Sequence, residues 1–277
     1  MGAIVVKRWT NEQRASVRAT LAAVDQHYPV QSDGALWTTD NPKTKRGANE
    51  RGYIIAALHL ASSASSGASV CPWDTKACRF VCLNYSGYGA INLDASGWNR
   101  TQAARIRRTA RMILFPDAFA HDLLRELDTI RRKAEADGLL LAVRMNATSD
   151  ISWHRTAPDL LEEVKKRSAV VYDYTKRPKP DGIAAGLDLT YSYPGGEGAA
   201  ARGYLDAGAR IAVVFDTPKG EALPEQWRSP WGDDLPVIDG DASDMRWLDP
   251  AGVVVGLRAK GRLVGERGTR RGFLQQA

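Results

Sequence analysis

From residue 53 onward the chain repeats one unit, a short apolar run of strand length followed in most cases by a stretch with helical periodicity. The runs are 53–60 (YIIAALHL), 139–145 (LLLAVRM), 169–174 (AVVYDY), 187–193 (LDLTYSY) and 210–215 (RIAVVF), and 236–239 and 253–257 come last. Between them, 101–114 is rich in arginine. The segment 117–136 opens just after Pro116 and carries Phe119, Leu123, Leu124, Leu127 and Ile130 as a stripe of 3.6-residue period. Helical stretches at 158–167 and 197–207 follow. Strand alternating with helix is the pattern of βαβ units and a parallel sheet. LLLAV and RIAVVF are apolar at successive positions, as strands covered on both faces require. About six such units are present. No GxGxxG and no GxxxxGK[ST] occurs, which leaves a dinucleotide-binding Rossmann fold and a P-loop unsupported. The expected fold class is α/β, a partial or complete (β/α) barrel over 53–277, with an open doubly wound sheet as the alternative.

The first 52 residues read as an N-terminal extension. Thr10 caps a helix whose first turn holds Glu12 and Gln13, and whose apolar face carries Val17, Leu21 and Val24. A polar loop with Lys43, Lys45 and Arg46 follows. With 44% hydrophobic and 25% charged residues the composition is that of an ordinary globular protein. It excludes a disordered chain, a collagen and a coiled coil. The net charge of +6 over 277 residues permits a nucleic-acid or phosphate partner without requiring one. No stretch reads as a signal peptide or a membrane span, so the expectation is a cytoplasmic protein with reduced thiols and no membrane partner.

All three cysteines, Cys71, Cys78 and Cys82, fall within twelve residues in the spacing C-x6-C-x3-C. An odd, clustered set in a cytosolic chain is not a disulfide framework. Three thiolates on one loop can hold three corners of a 4Fe–4S cubane, leaving the fourth iron open for a substrate or for the amino and carboxylate groups of S-adenosylmethionine. His59 and Asp150 are the candidates to fill that corner. Two other readings are open: a zinc site of three Cys and one His, with His59 or His154, and unliganded core cysteines. Zinc sites usually use closer C-x2-4-C pairs, and none occurs here.

In a barrel the chemistry sits at the C-terminal ends of the strands, and polar residues collect there. Asn146, Asp150 and His154 follow the second run, and Asp239, with Asp241 and Asp244, follows the sixth. Asn146, Asp150, His154 and Asp239 are the candidate catalytic residues, the histidine and acids as proton donors or acceptors. The segment 100–111 carries Arg100, Arg105, Arg107, Arg108 and Arg111, a set that can track a phosphate backbone if exposed on one helix face. A second basic run lies near the C-terminus, with Arg258, Lys260, Arg262, Arg267, Arg270 and Arg271.

The stretch H-L-A-S-S-x-S-S-G-x-x-V-C-P-W-x-x-x-x-C-x-x-x-C-L resembles a family of bacteriophage proteins, best known from phages of actinobacteria. T-Q-A-A-R-I-R-R-T, R-M-N-A-T-S-D-I-S-W, Y-D-Y-T-K, V-I-D-G-D-x-x-D-x-R-x-L-D-P and V-V-G-L-R-A-K-G extend that resemblance over residues 41–274. It implies a phage-encoded protein acting in the bacterial host cytoplasm and supplies no reaction. More loosely, the chain is similar to the radical-SAM superfamily, in which cluster cysteines also follow the first strand of a partial (β/α) barrel. Gly195, Gly196 and Glu197 match the GGE motif that contacts the S-adenosylmethionine amino group there. The chain departs from that superfamily in its cysteine spacing, where C-x3-C-x2-C is usual, and in placing GGE after the fourth run rather than the second. The expectation is therefore an iron–sulfur (β/α)-barrel protein, radical-SAM-like if it is an enzyme, with a nucleotide-like substrate. The rival is a non-catalytic module in which an iron–sulfur or zinc site staples the fold while the arginines bind nucleic acid or a host protein.

Overall fold

A computed structural model of the chain describes residues 9–30, 34–40, 51–80, 82, 89–259 and 273–276. Lys43, Lys45 and Arg46, and every member of the C-terminal basic run except Arg258, lie outside the described residues.

The chain begins with α1 (Asn11–His27), held at its start by a reciprocal cap. The Thr10 hydroxyl accepts from the Gln13 backbone N–H, and the Gln13 side chain accepts from the Thr10 N–H. A short strand β1 (Trp37–Thr38) then pairs antiparallel with β2 (Tyr53–Leu58), so the N-terminal extension adds an edge to the sheet. After the cysteine loop and its short helix α2 (Lys76–Phe80) come α3 (Arg100–Leu114) and α4 (Pro116–Ala136). The fixed φ of Pro116 suits the first turn of α4, where no backbone donor is lost. Next are β3 (Leu140–Arg144), α5 (Trp153–Thr156), α6 (Pro158–Lys165), β4 (Val170–Thr175), α7 (Asp181–Ala184), β5 (Asp188–Ser192), α8 (Ala199–Asp206) and β6 (Arg210–Phe215). The remainder holds β7 (Gln226–Arg228), β8 (Asp234–Asp239), a 3₁₀ turn at Arg246–Leu248, β9 (Val254–Arg258) and β10 (Leu274–Gln275).

These strands form one mostly parallel sheet in the order β1-β2-β3-β4-β5-β6-β9-β8-β7, with β10 beside the end of β6. From β2 to β6 each strand lies beside its predecessor, so every crossover steps the same way. Right-handed crossovers then place their helices on one face. The core confirms this: Leu58, Val143, Val171, Tyr191 and Val213 of the sheet pack with Met112, Phe119, Leu160 and Tyr204 of the helices. This one-way winding differs from a doubly wound sheet. The path ends at β1 and β7, so the sheet is open among the described residues.

The last crossover runs backwards. β8 is placed beyond β9, and the chain returns to insert β9 next to β6. A right-handed connection stepping in this reverse direction must cross the opposite face of the sheet. There Met245 packs on Ile55, Ala142 and Tyr172, and the Trp247 ring meets Tyr53 edge-on and Tyr172 at a tilt. The register puts Ala57, Arg144, Tyr174, Thr190 and Arg210 on this inner face. The expectation that RIAVVF is apolar on both sides is thus corrected at its first residue: Arg210 is buried, donating to both oxygens of Asp188 and to the Asp249 carbonyl.

A candidate thiol centre at the carboxyl ends of the strands

The loop after β2 is built to present Cys71. Ser63 takes a left-handed conformation at φ 50°, which turns the chain so that its N–H donates to Cys71 Sγ at 3.2 Å. The Ser63 carbonyl accepts from Val70, and its hydroxyl donates to Asp74 at 2.6 Å. Gly67, at φ 93°, lets this loop lie against α1, where a Cβ would come within 2.7 Å of the Ser16 backbone. The Thr75 hydroxyl caps α2 by accepting from the Cys78 N–H. The loop is also tied to the segment after β3: Asp150 N–H donates to the Val70 carbonyl, and the Thr148 hydroxyl to that of Leu60.

All three thiols are half-buried and free. Desolvation lowers the pKa of Lys176, just past β4, while Cys78, Asp150, Cys82 and Cys71 act to raise it. Its ammonium donates to the Ser192 carbonyl at 3.0 Å and hydroxyl at 2.6 Å, and lies 5.3 Å from the Phe273 ring centre. Burial pushes the Cys71 thiol up to about 12, against the lowering effect of the Ser63 N–H. Burial also raises Cys78, while Lys176 pulls it the other way. Burial raises Asp150 too, although its carboxylate accepts from the Lys176 N–H and the Thr175 hydroxyl. Without a bound cation the Cys71 and Cys78 thiols hold their protons, and a metal would displace them. Among the described residues no three His, Cys, Asp or Glu side chains stand close enough to hold a single metal ion. A cubane spreads its thiolates over different irons, so its ligands stand farther apart than those of one ion. The backbone donor on Cys71 Sγ is of the kind that tunes cluster sulfurs.

The remaining candidates are distributed around this centre. Asn146 is a structural hub: its carbonyl oxygen accepts from Ser149, Ile151 and Trp153, and its amide donates to Ile151 and Asp173. Asp173 faces the helix side, where burial raises its carboxyl to about 8. His154 Nε2 contacts Asp181 at 3.1 Å, and burial lowers its pKa. Asp181 also takes two bonds from Arg177, whose guanidinium stacks on Trp73 of the cysteine loop. His59 is buried on the inner face, where burial, then Arg105, Arg144 and Arg108, lower it to about 3. Among the described residues its Nδ1 has no hydrogen-bond partner, and neither histidine is grouped with the thiols.

Gly195, Gly196 and Glu197 form a turn at the C-terminal end of β5, with both glycines at positive φ and Glu197 exposed. Asp239 is at the C-terminal end of β8, where both its oxygens accept from Arg258. Asp241 joins the same guanidinium, whereas Asp244 goes to the inner face, accepting from Arg144 at 2.9 Å and the Tyr172 hydroxyl at 2.9 Å.

The α3 arginines are largely committed to holding the fold. Arg107 pairs with Asp25 of α1 at 2.7 Å and donates to the Tyr28 carbonyl. Arg108 donates to the carbonyls of Ala35 and His59, and Arg111 pairs with Asp122 of α4. Arg105 is also engaged, while Arg100 is exposed at the helix start. The condition that these arginines be exposed on one helix face is therefore not met at Arg107 and Arg111, because α1 and α4 flank α3 on both sides. In the sequence Lys176 stands out only as the last residue of the Y-D-Y-T-K string, one position past the end of β4.

A protein-family model described as Gene product 88 matches residues 35–277. No curated protein and no solved structure matches the chain. The looser similarity to the radical-SAM superfamily gains no support from these comparisons.

Proposed function

The chain belongs to the Gene product 88 family of phage proteins, and from that premise we propose that it is an iron–sulfur protein whose cluster is held by Cys71, Cys78 and Cys82 over the mouth of a partial (β/α) barrel. The observation that carries this reading is the placing of three free, half-buried cysteines on the loop and short helix that follow β2, at the carboxyl ends of the parallel strands. That end of a one-way-wound parallel sheet is where loop residues from several strands meet, and where such folds place their chemistry. When bound, the cluster would supply one iron without a protein thiolate, free to take a substrate or the amino and carboxylate groups of S-adenosylmethionine. The residues of the chain shape its surroundings. Ser63 fixes Cys71 through its N–H, Asp150 ties the loop after β3 to the end of β4, and the Trp73–Arg177–Asp181–His154 chain docks the cysteine loop on the sheet. Asp150 and the PGGEG turn after β5 lie at the same end and are the groups placed to meet a ligand.

The rival, a stapled module that binds nucleic acid or a host protein through α3, is weaker because Arg107, Arg108 and Arg111 already serve internal contacts. Anaerobic purification with an absorption spectrum and iron, sulfide and zinc analysis tests the proposal. Brown protein with iron and sulfide in equal amounts is expected. Colourless protein with stoichiometric zinc, or with no metal, would overturn it.

A further inference from the structure

β5 stops short of β6 and leaves part of its edge open. Ser192, at the end of β5, stands opposite Ala212, and the next residue, Tyr193, donates its N–H to the Ala212 carbonyl. β6 runs on to Phe215, and on its other side β9 accompanies it as far as the Phe215–Arg258 pair. On the side that β5 has left, backbone groups of β6 need other partners. β10 supplies them. Leu274 stands opposite Val214 and Gln275 opposite Phe215, and the Asp216 N–H donates to the Gln275 carbonyl at 2.9 Å. The Trp227 indole N–H reaches the Gln275 side-chain oxygen at 3.3 Å. Phe273 is buried, and its ring centre lies 5.3 Å from the Lys176 ammonium nitrogen, which itself donates to the Ser192 carbonyl and hydroxyl. β10 thus prolongs the line of β5, and Phe273 covers the polar pair at the strand ends.

We propose that the open edge of β6 is a strand-addition site which residues 273–276 fill from within the chain, as a displaceable strap over Lys176 and Ser192. From the reading above this takes only that the carboxyl ends of the strands are the functional end. Three features make the strap displaceable. It pairs with β6 only at Leu274 and Gln275, whereas β9 pairs with the same strand from Val254 to Arg258. So short a strand opens locally at far less cost than the sheet it lies on. Its pairing uses backbone groups, which any extended segment offers, so the edge is not reserved for one sequence. Its buried anchor is an aromatic ring beside an ammonium, a contact that an aromatic or anionic group of a ligand replaces. A ligand that engages Lys176 at this mouth therefore takes the place of Phe273 and releases the strap.

The experiment labels the full-length protein with a short pulse of an amine-reactive succinimidyl ester. Peptide mass spectrometry reads Lys176 against the exposed Lys219. In the wild type Lys176 should label about 10-fold more slowly than Lys219, as a group reached only through local opening does. Phe273→Ala should remove most of that protection. Gln275→Ala, which loses only the bond from Trp227, should speed Lys176 labelling by about 2- to 10-fold. A synthetic peptide of residues 271–277 in excess should restore the protection in Phe273→Ala, and the same peptide with alanine in place of its phenylalanine should not. Rescue by the peptide separates an emptied strand site from a damaged fold. Wild-type Lys176 labelling as fast as Lys219, unchanged protection in both variants, or a peptide that restores nothing would each overturn the inference. No metal enters the readout, so failure here leaves the cluster reading standing, and failure of that reading leaves the strap.

Discussion

Arg144 and Asp244 stand a hundred positions apart in sequence and form the central ion pair of the inner face, 2.9 Å from donor to acceptor. The Asp244 side chain is fully buried, and Tyr172 donates to the same oxygen. Removing one partner of such a pair leaves an unpaired charge inside the protein. Asp244→Asn is expected to cost about 3–5 kcal/mol in denaturant unfolding. A cost below about 1 kcal/mol, the usual worth of an exposed pair, would contradict the burial described. His59 makes a prediction about pH. Its folded-state pKa, lowered to about 3, lies below the ordinary histidine value, so the unfolded chain binds its proton first. The stability contributed by the neutral imidazole is present above about pH 6.5 and is lost as pH falls towards 3. The wild type should therefore lose stability more steeply than His59→Gln between those values in pH-dependent unfolding, and parallel curves would refute the assignment. Asp244 was legible in the sequence only as part of a D-G-D-x-x-D string with Asp239 and Asp241. Its separation from them follows from the backward step between β8 and β9, which no local pattern encodes.

At the scale of elements, the strands and long helices were readable because their periodicities are strong. The stripe from Phe119 to Ile130 does lie along α4, with Phe119, Leu123, Leu124 and Leu127 in the core. The elements that went unread are short: β1, β7, β10, α2, α5 and α7 offer too few residues for a period to show. The role of α3 was also hidden, since an arginine-rich helix reads alike whether its charges face water or neighbouring helices. In the structure Asp25 and Asp122 come from α1 and α4 to meet Arg107 and Arg111. Replacing both arginines by alanine should lower stability by about 0.5–1 kcal/mol each, the range for partly exposed pairs. Any binding of the protein to duplex DNA should keep its salt dependence in the double variant, read by anisotropy at several salt concentrations. A slope flattened by about two units would return these arginines to a polyanion surface.

For the molecule as a whole, the alternation of strand and helix was enough to expect a parallel α/β sheet, and that sheet is present. Its winding direction was not legible, because strand order depends on which neighbours a strand finds and not on its own residues. The direction matters for function. Stepping one way from β2 to β6 brings the helices to one face and the loop ends of β2, β3, β4 and β5 to one edge, where Cys71, Asp150, Lys176 and Ser192 meet. The three cysteines, recognisable as a set from spacing alone, gain their electrostatic setting only from this arrangement. The account stands on their holding one cluster between them. Iron K-edge X-ray absorption of anaerobically purified protein tests that most directly. The account predicts sulfur as the dominant first shell around iron with iron neighbours beyond it, and loss of this signal on replacing Cys71, Cys78 or Cys82 by alanine. An iron-free protein, or iron bound by oxygen and nitrogen without iron neighbours, would contradict it.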